Sequence, residues 1–293
     1  MSATLSFESP APAGASGIGT DISICNGVSC NITFGGQRWP DVVGALHLTQ
    51  AWGEAQLSGV LHYVNVEDSI FSPGLAACGA SGALPCNAMQ NTFGWGVDAG
   101  FKIYLPWSSV FLATGALSRN AVWYSGLPEG MWGENGQVNG NGQPMFMADA
   151  AFDPVANAWA TPTAWSISAI LEHRFNKAFY IDLEGSLGGL TWSNQRGGCS
   201  LPDTGCGGAV TGGLSPHATS FIVGADLGWN AAARLNFDIE LMYENTIQER
   251  PNGLIGTIYN WDAQDGVGAT FAPGVWNGRS SGFASRLRVT RYF

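Results

Sequence analysis

The sequence predicts an all-β fold, an antiparallel transmembrane β-barrel built as a meander of about ten strands. Three observations predict it: charged residues are scarce, side chains alternate between apolar and polar along many segments, and short connections alternate with long ones. We expect residues 1–293 to form a single domain of this kind.

Composition sets the chain apart from ordinary soluble domains. Only 12% of its residues are charged, about half of the usual share, yet the mean hydropathy is +0.06. The net charge of −10 comes without the basic stripe of a nucleic-acid-binding protein, and 12% aromatic residues argue against disorder. Apolar residues nowhere run for the roughly 18 positions that a membrane-spanning helix needs, so we expect them to be spread over strands.

Alternation with a period of two residues defines the strands. Between Leu235 and Glu244 the odd positions are all apolar or aromatic, whereas the even positions include Asp238 and Glu240. A strand buried on both faces could not hold these carboxylates without partners, so one face should meet lipid and the other water. The same pattern predicts strands at 2–8, 41–52, 54–66, 92–105, 108–120, 163–175, 178–192, 218–229, 234–247 and 281–293.

Connections between these strands alternate in length, and aromatic residues gather beside them. In a membrane meander the short turns lie at one rim and the long loops at the other, with aromatic side chains at both membrane interfaces. The short connections lie at Gly53, Pro106-Trp107, Asn176-Lys177 and 230–233, and the long ones at 9–40, 67–91, 121–162, 193–217 and 248–280.

Charged side chains fall on the polar side of the predicted strands. Because ionised groups are tolerated in a wet lumen and rings of charge set ion preference, we expect a water-filled channel. Eight acids against four bases favour a weak preference for cations; the other interpretation is that the charges only neutralise one another. The predicted pore-lining residues are Asp98, Lys102, Glu172, Arg174, Asp182, Glu184, Asp226, Asp238, Glu240, Glu244, Arg286 and Arg288.

Six cysteines form three close pairs, each within one predicted long loop. Sequence alone allows 15 disulfide connectivities, and pairing within each loop is favoured. The alternative is free thiols in a reducing compartment. Disulfides would require an oxidising compartment such as the periplasm, and the spacings do not fit zinc knuckles. The pairs are Cys25 with Cys30, Cys78 with Cys86, and Cys199 with Cys206.

Catalytic patterns are weak, so we expect no enzyme activity and neither cofactor nor metal. Residues 278–282 match G-x-S-x-G, but a nucleophile elbow needs a helix after it, and a strand is predicted there. The histidines His47 and His62 are expected to point inward on neighbouring strands, without a triad order. Two alternatives stay open: an outer-membrane barrel enzyme or adhesin acting through its long loops, and a secreted disulfide-bonded β-sandwich.

Four segments resemble a known family. Residues 3–8, 40–46, 50–59 (Gln-Ala-Trp-Gly-Glu-Ala-Gln-Leu-Ser-Gly) and 288–293 (Arg-Val-Thr-Arg-Tyr-Phe) are similar to the alphaproteobacterial porins of the bacterial outer membrane. This resemblance implies passive diffusion of ions and small hydrophilic solutes, a homotrimer, and contact with outer-membrane lipid and lipopolysaccharide. It also implies that Tyr292 and Phe293 form the signal read by the barrel-assembly machinery.

The resemblance also implies a larger barrel than this chain supplies. Such porins have sixteen strands, and about ten are predicted here. We therefore expect the chain to correspond to the carboxyl-terminal portion of a porin, without the amino-terminal strands, the signal peptide and the loop that narrows the pore after the fifth strand. The alternative is a self-contained barrel of about ten strands, an even number that permits closure.

Overall fold

Ten strands follow one another in a single antiparallel sheet in which every strand pairs with the next one along the chain. The computed structural model describes residues 1–9, 32–34, 39–64, 66–68, 92–127, 149, 151–153, 158–193, 217–249, 257–259, 271–273 and 279–291. The strands of the sheet are β1 (Ser2–Glu8), β2 (Asp41–Gln50), β3 (Gly53–Val64), β4 (Thr92–Leu105), β5 (Ser109–Arg119), β6 (Pro162–Arg174), β7 (Phe179–Trp192), β8 (His217–Ala232), β9 (Leu235–Gln248) and β10 (Arg279–Arg291).

The predicted all-β antiparallel meander is confirmed, and most strand limits agree to within two residues. The largest difference is in β8, which was predicted to end at 229 and continues to Ala232. A shift in the pairing between Asn230 and Ala232 explains it, because a bulge adds residues to a strand without breaking the hydrogen-bonded ladder.

Tight turns and long connections occupy opposite rims of the sheet. Turns at 51–52, 106–108, 175–178 and 233–234 join four strand pairs at one end of the strands, which we call the short-turn rim. The remaining connections are long and begin at the other end of the strands, which we call the long-loop rim. Positive φ angles at Trp107, Ser108 and Arg234 give two of the turns their tight geometry.

The described parts of the long connections contain three short two-stranded ribbons. Ile32–Phe34 pairs with Val66–Asp68, so the connections on either side of the β2–β3 pair meet each other. The other two ribbons join Ala151–Asp153 to Ala158–Ala160 and Thr257–Tyr259 to Phe271–Pro273.

The two faces of the sheet differ in composition and in accessibility. On the face that we call apolar, Ile239 and Leu241 are 50% and 60% exposed, whereas Asp238 on the opposite, polar face is 8% exposed. In β9 the less accessible face is thus the charged one. Among the ten strands, the apolar face carries charged residues only at strand ends, at Arg119, Arg279 and Arg291.

The first and last strands, β1 and β10, form the two edges of this sheet. Within the described residues there is one large sheet, so the two face-to-face sheets of the alternative β-sandwich are not observed. No helix in the described part of the chain is long and apolar enough to cross a membrane.

Candidate functional site

All twelve predicted pore-lining side chains lie on the polar face. Even-numbered residues occupy this face in nine strands, and odd-numbered residues in β2, because the pairing register preserves the alternation from strand to strand. The structure therefore brings these residues to one surface, although it does not bring them into one cluster.

Five of them form a continuous row across β6 to β10. In-register pairing places Glu172 opposite Asp182, Asp182 opposite Asp226, Asp226 opposite Glu240, and Glu240 opposite Arg286. Directly opposed residues have Cβ atoms about 5 Å apart, so four carboxylates follow one another at that spacing before a cation ends the row. We call these residues the acidic row.

The two ends of the acidic row are paired, and its centre is not. Arg174 Nε lies 2.5 Å from Glu172 Oε1, and Arg286 Nε lies 3.4 Å from Glu240 Oε2. Asp182 and Asp226 each have a buried Oδ1 atom without a hydrogen-bond partner among the described residues. Buried carboxylate oxygens need a donor or a counter-ion, so the centre of the row favours water or dissolved cations next to it.

Asp238 lies two residues before Glu240 in β9, closer to the short-turn rim than the acidic row, and it is hydrogen-bonded to a side chain of β7. The Tyr180 hydroxyl donates a hydrogen bond of 2.5 Å to Asp238, and the Arg174 guanidinium lies 5.2 Å from the centre of the Tyr180 ring. The ring reaches Asp238 by crossing Gly228, where a Cβ atom would clash with it. Glycine is therefore required at 228 for this contact.

The remaining predicted residues are distributed over the same face. Thr114 donates to Asp98 over 2.9 Å, and Lys102 lies 5.3 Å from the centre of the Tyr104 ring. Glu184, Glu244 and Arg288 share the face with them through their register.

Sequence reasoning missed three carboxylates on the polar face. Glu8 in β1, Asp41 in β2 and Glu54 in β3 point to the same side as the predicted set, which raises the excess of acids over Lys and Arg from four to seven. His47 contacts Glu54 with Nε2 and Oε2 3.4 Å apart. Alternation could have found Glu8 and Glu54, because the even positions of residues 2–8 and 54–58 are all polar, and Asp41 shares its odd numbering with the polar His47 and Thr49.

A buried cluster around His62 lies near the long-loop rim of the polar face. His62 Nδ1 is 2.8 Å from Asp41 Oδ2, and His62 Nε2 is 3.3 Å from Asp149 Oδ2. The Tyr124 hydroxyl donates to Asp41 Oδ2 over 2.6 Å. Both His62 and His47 lie on the polar face of neighbouring strands, as the sequence predicted. We call His62, Asp41, Asp149 and Tyr124 the buried cluster.

This cluster holds a segment of the β5–β6 connection against the polar face. Residues 120–127, which we call the inner segment, contain a 3-10 turn at Val122–Ser125. The Val122 amide donates to Asp149 Oδ1 over 2.6 Å, and Ser166 Oγ in β6 donates to the Ser125 carbonyl over 2.6 Å. The segment follows the fifth strand of the sheet, and no motif indicated that it would lie on this face.

Two glycines of β4 make room for the inner segment. A Cβ atom on Gly94 would clash with the Asn120 carbonyl, and one on Gly96 would lie 3.2 Å from Tyr124 Cβ. Small residues at both positions therefore allow the segment to approach the sheet closely. Among the described residues, the inner segment covers the polar face near the long-loop rim, and Asp182 and Asp226 of the acidic row remain partly exposed.

Burial changes the ionisation of the two loop residues in the cluster. Burial raises the pKa of the Asp149 carboxyl, although the neighbouring His62 opposes that change. Burial and the adjacent Asp41 carboxylate also raise the pKa of the Tyr124 hydroxyl. Tyr124 therefore remains a protonated donor to Asp41 across the physiological range.

The histidine contacts limit the chemistry available. Each ring nitrogen of His62 faces a carboxylate, so neither is directed to a nucleophile. Ser109 Oγ lies 2.8 Å from His173 Nδ1, but this pair lies on the apolar face at the short-turn rim, and no carboxylate in the described residues contacts His173. Nor do the described residues include three or more His, Cys, Asp or Glu placed to hold a metal ion.

Several predictions lie outside the described residues: the three cysteine pairs, Cys25 with Cys30, Cys78 with Cys86 and Cys199 with Cys206, and the proposed assembly signal at Tyr292 and Phe293. No protein-family model, curated protein or solved structure matches this chain. The resemblance to outer-membrane porins therefore depends on the sequence segments alone.

Proposed function

We propose that the protein is a channel of the bacterial outer membrane. Its polar face lines a water-filled pore through which ions and small hydrophilic solutes diffuse passively, with a weak preference for cations. The observation that carries this proposal is the inversion of the usual burial pattern in β9: Ile239 and Leu241 on the apolar face are about half exposed or more, whereas Asp238 on the opposite face is buried.

The apolar face supports a lipid surrounding. Soluble monomers seldom expose contiguous apolar patches larger than a few hundred Å², whereas large exposed apolar side chains occur here on all ten strands. In a bilayer the backbone polar groups of each inner strand are satisfied by its neighbours. Aromatic side chains such as Trp52, Trp107 and Phe175 are exposed at the short-turn rim, where a membrane interface would lie.

A sheet in lipid needs its edges paired, because an unsatisfied backbone group there costs several kcal/mol. In a meander of ten antiparallel strands, β1 and β10 run in opposite directions, so they are able to pair with each other. Closure at ten strands and closure through further strands of a longer barrel both fulfil the requirement. The homotrimer and the contacts with lipopolysaccharide and the assembly machinery belong to this proposal through the family resemblance.

Cation preference follows from the charges on the polar face. Asp182 and Asp226 are partly exposed at the centre of the acidic row, and each has an Oδ1 atom without a partner among the described residues. The inner segment narrows the lumen near the long-loop rim. Negative potential along a narrow, low-dielectric wall raises the local concentration of cations. The partly exposed centre and the covered rim support an ion path that passes these acids.

Planar-bilayer recordings test the proposal. We expect stepwise conductance from the purified protein. In a KCl gradient, the reversal potential should have the sign of a cation-selective channel. The double substitution Asp182→Asn with Asp226→Asn should move that potential toward zero, whereas Glu249→Gln, an acid outside the strands, should leave it unchanged. Absence of conductance would contradict the channel, and a reversal potential on the anion side would contradict the cation preference.

A further inference from the structure

A groove on the apolar face borders the short-turn rim. It has a volume of about 650 Å³ and is lined by side chains of β7 to β10, among them Phe179, Leu227, Trp229, Ile239 and Leu287. All five are at least 40% exposed, so the groove is an open, apolar surface rather than a closed cavity. Its volume is within the range of roughly 300–1,000 Å³ that small-molecule sites occupy.

Three aromatic rings form one wall of this groove. Phe179, Trp229 and Phe237 lie directly opposite one another on β7, β8 and β9. The first two rings are stacked with centroids 6.2 Å apart and planes 6° apart, and the last two with centroids 5.4 Å apart and planes 26° apart. Stacked rings fix one another, so the wall is rigid and suits a linear apolar chain lying across the strands.

Cations border the groove at its rim end. Lys177 lies in the turn before β7, Arg234 in the turn before β9, and Arg291 lies opposite Leu235 at the end of β10. Asn230, next to Trp229, donates from Nδ2 to the Lys177 carbonyl over 3.4 Å, which fastens the first of these turns to β8. All three cationic residues are exposed.

The charge within the short turns is of one sign and is found in two of the four turns. Within the described residues, none of the four short turns contains an Asp or a Glu, and the turns at 51–52 and 106–108 contain no charged residue at all. Basic residues are thus concentrated at the strands that form the groove. Apolar surface next to exposed cations is complementary to an anionic amphiphile.

We propose that this site binds an anionic glycerophospholipid, with an acyl chain along the aromatic wall and the phosphate at Lys177 and Arg234. The inference depends on the proposed function, because it requires a membrane around the apolar face. A second copy of the chain suits the site less well: the apolar face of the ten described strands carries no carboxylate that could meet these cations.

Native mass spectrometry of the detergent-purified protein tests the site. With equal amounts of phosphatidylglycerol and phosphatidylcholine of the same acyl chains, we expect about thirtyfold preferential retention of phosphatidylglycerol, as two interfacial cations should produce. The double substitution Lys177→Gln with Arg234→Gln should abolish the preference. Arg119→Gln, which removes a cation from the apolar face at the long-loop rim, should leave it unchanged.

The outcomes separate this inference from the proposed function. Equal retention of both lipids, or a preference that survives the double substitution or is lost in Arg119→Gln, would overturn the lipid site. Binding of glycerol phosphate, which has no acyl chains, as tightly as phosphatidylglycerol would show that the acyl groove has no part in binding and would also overturn it. Bilayer conductance of the same samples tests the channel separately: a conducting protein without lipid preference loses only this inference.

Discussion

The buried cluster around His62 and the acidic row lie on the same polar face, yet their carboxylates have opposite surroundings. In the cluster, Asp41 and Asp149 lie on either side of one histidine and are almost fully buried. In the row, Asp182 and Asp226 are partly exposed and each has an Oδ1 atom without a partner among the described residues.

This difference shows what burial does to a carboxylate. A buried charge is stable only if it is paired and hydrogen-bonded. The contacts of the buried cluster therefore hold the inner segment against the sheet. A partly exposed charge keeps part of its water, so the row is able to act on ions in the proposed channel. The same residue types therefore serve stability near one rim and electrostatics in the middle of the sheet.

The largest effect is expected from His62→Ala. It leaves the Asp41 and Asp149 carboxylates buried without the partner that they share, which should lower the free energy of unfolding by about 3–5 kcal/mol. His47→Ala is the matched control, because His47 and its partner Glu54 are about one-third exposed and such pairs contribute at most about 1 kcal/mol. Urea unfolding in lipid vesicles, followed by tryptophan fluorescence, measures both. Equal losses would remove the distinction between the two regions.

The second-largest loss of stability is expected from a charge placed on the apolar face, and it compares the two faces of the sheet rather than the buried cluster and the acidic row. Leu241→Arg places a cation on the apolar face in the middle of β9, which should cost about 2–4 kcal/mol if that face meets hydrocarbon. Met242→Arg, one residue further, places the cation on the polar face near Glu184 and should cost less than about 1 kcal/mol. The same vesicle unfolding assay compares them, and an equal cost at both positions would contradict a lipid-facing apolar side.

A smaller loss of stability should follow from breaking the hydrogen bond between Tyr180 and Asp238, a contact that Asp226 in the acidic row does not have from its Oδ1 atom among the described residues. Gly228→Ala forces the Tyr180 ring away from Asp238, at an expected cost of about 1–3 kcal/mol for overpacking. Gly44→Ala is the control, since nothing lies within 4 Å of a Cβ atom there. In a Tyr180→Ala background the cost of Gly228→Ala should largely vanish, and its persistence would show that the ring is not the obstacle.

Much of the fold was predictable because its signal is local. Successive side chains of a strand point to opposite faces, so Asp238 and Ile239 identify their own sides without any knowledge of their neighbours. The alternation of short and long connections then indicated the order of pairing. Even the overlooked carboxylates Asp41 and Glu54 follow the same period, so only their omission from the count hid them.

The buried cluster was not predictable in this way. His62 and Asp149 are far apart in the sequence, and their contact depends on how the β5–β6 connection folds back over the sheet. Loop conformation carries no periodic signal, and the glycines at 94 and 96 resemble ordinary strand glycines until the inner segment is seen against them.

The sequence by itself determined which segments are strands and which side chains share a face, because period-two alternation is a property of each strand alone. Only the tertiary structure decided which carboxylates are buried with a partner and which stay open. That outcome depends on contacts between residues far apart in the chain, and burial, not residue type, sets the free energy of an unpaired charge.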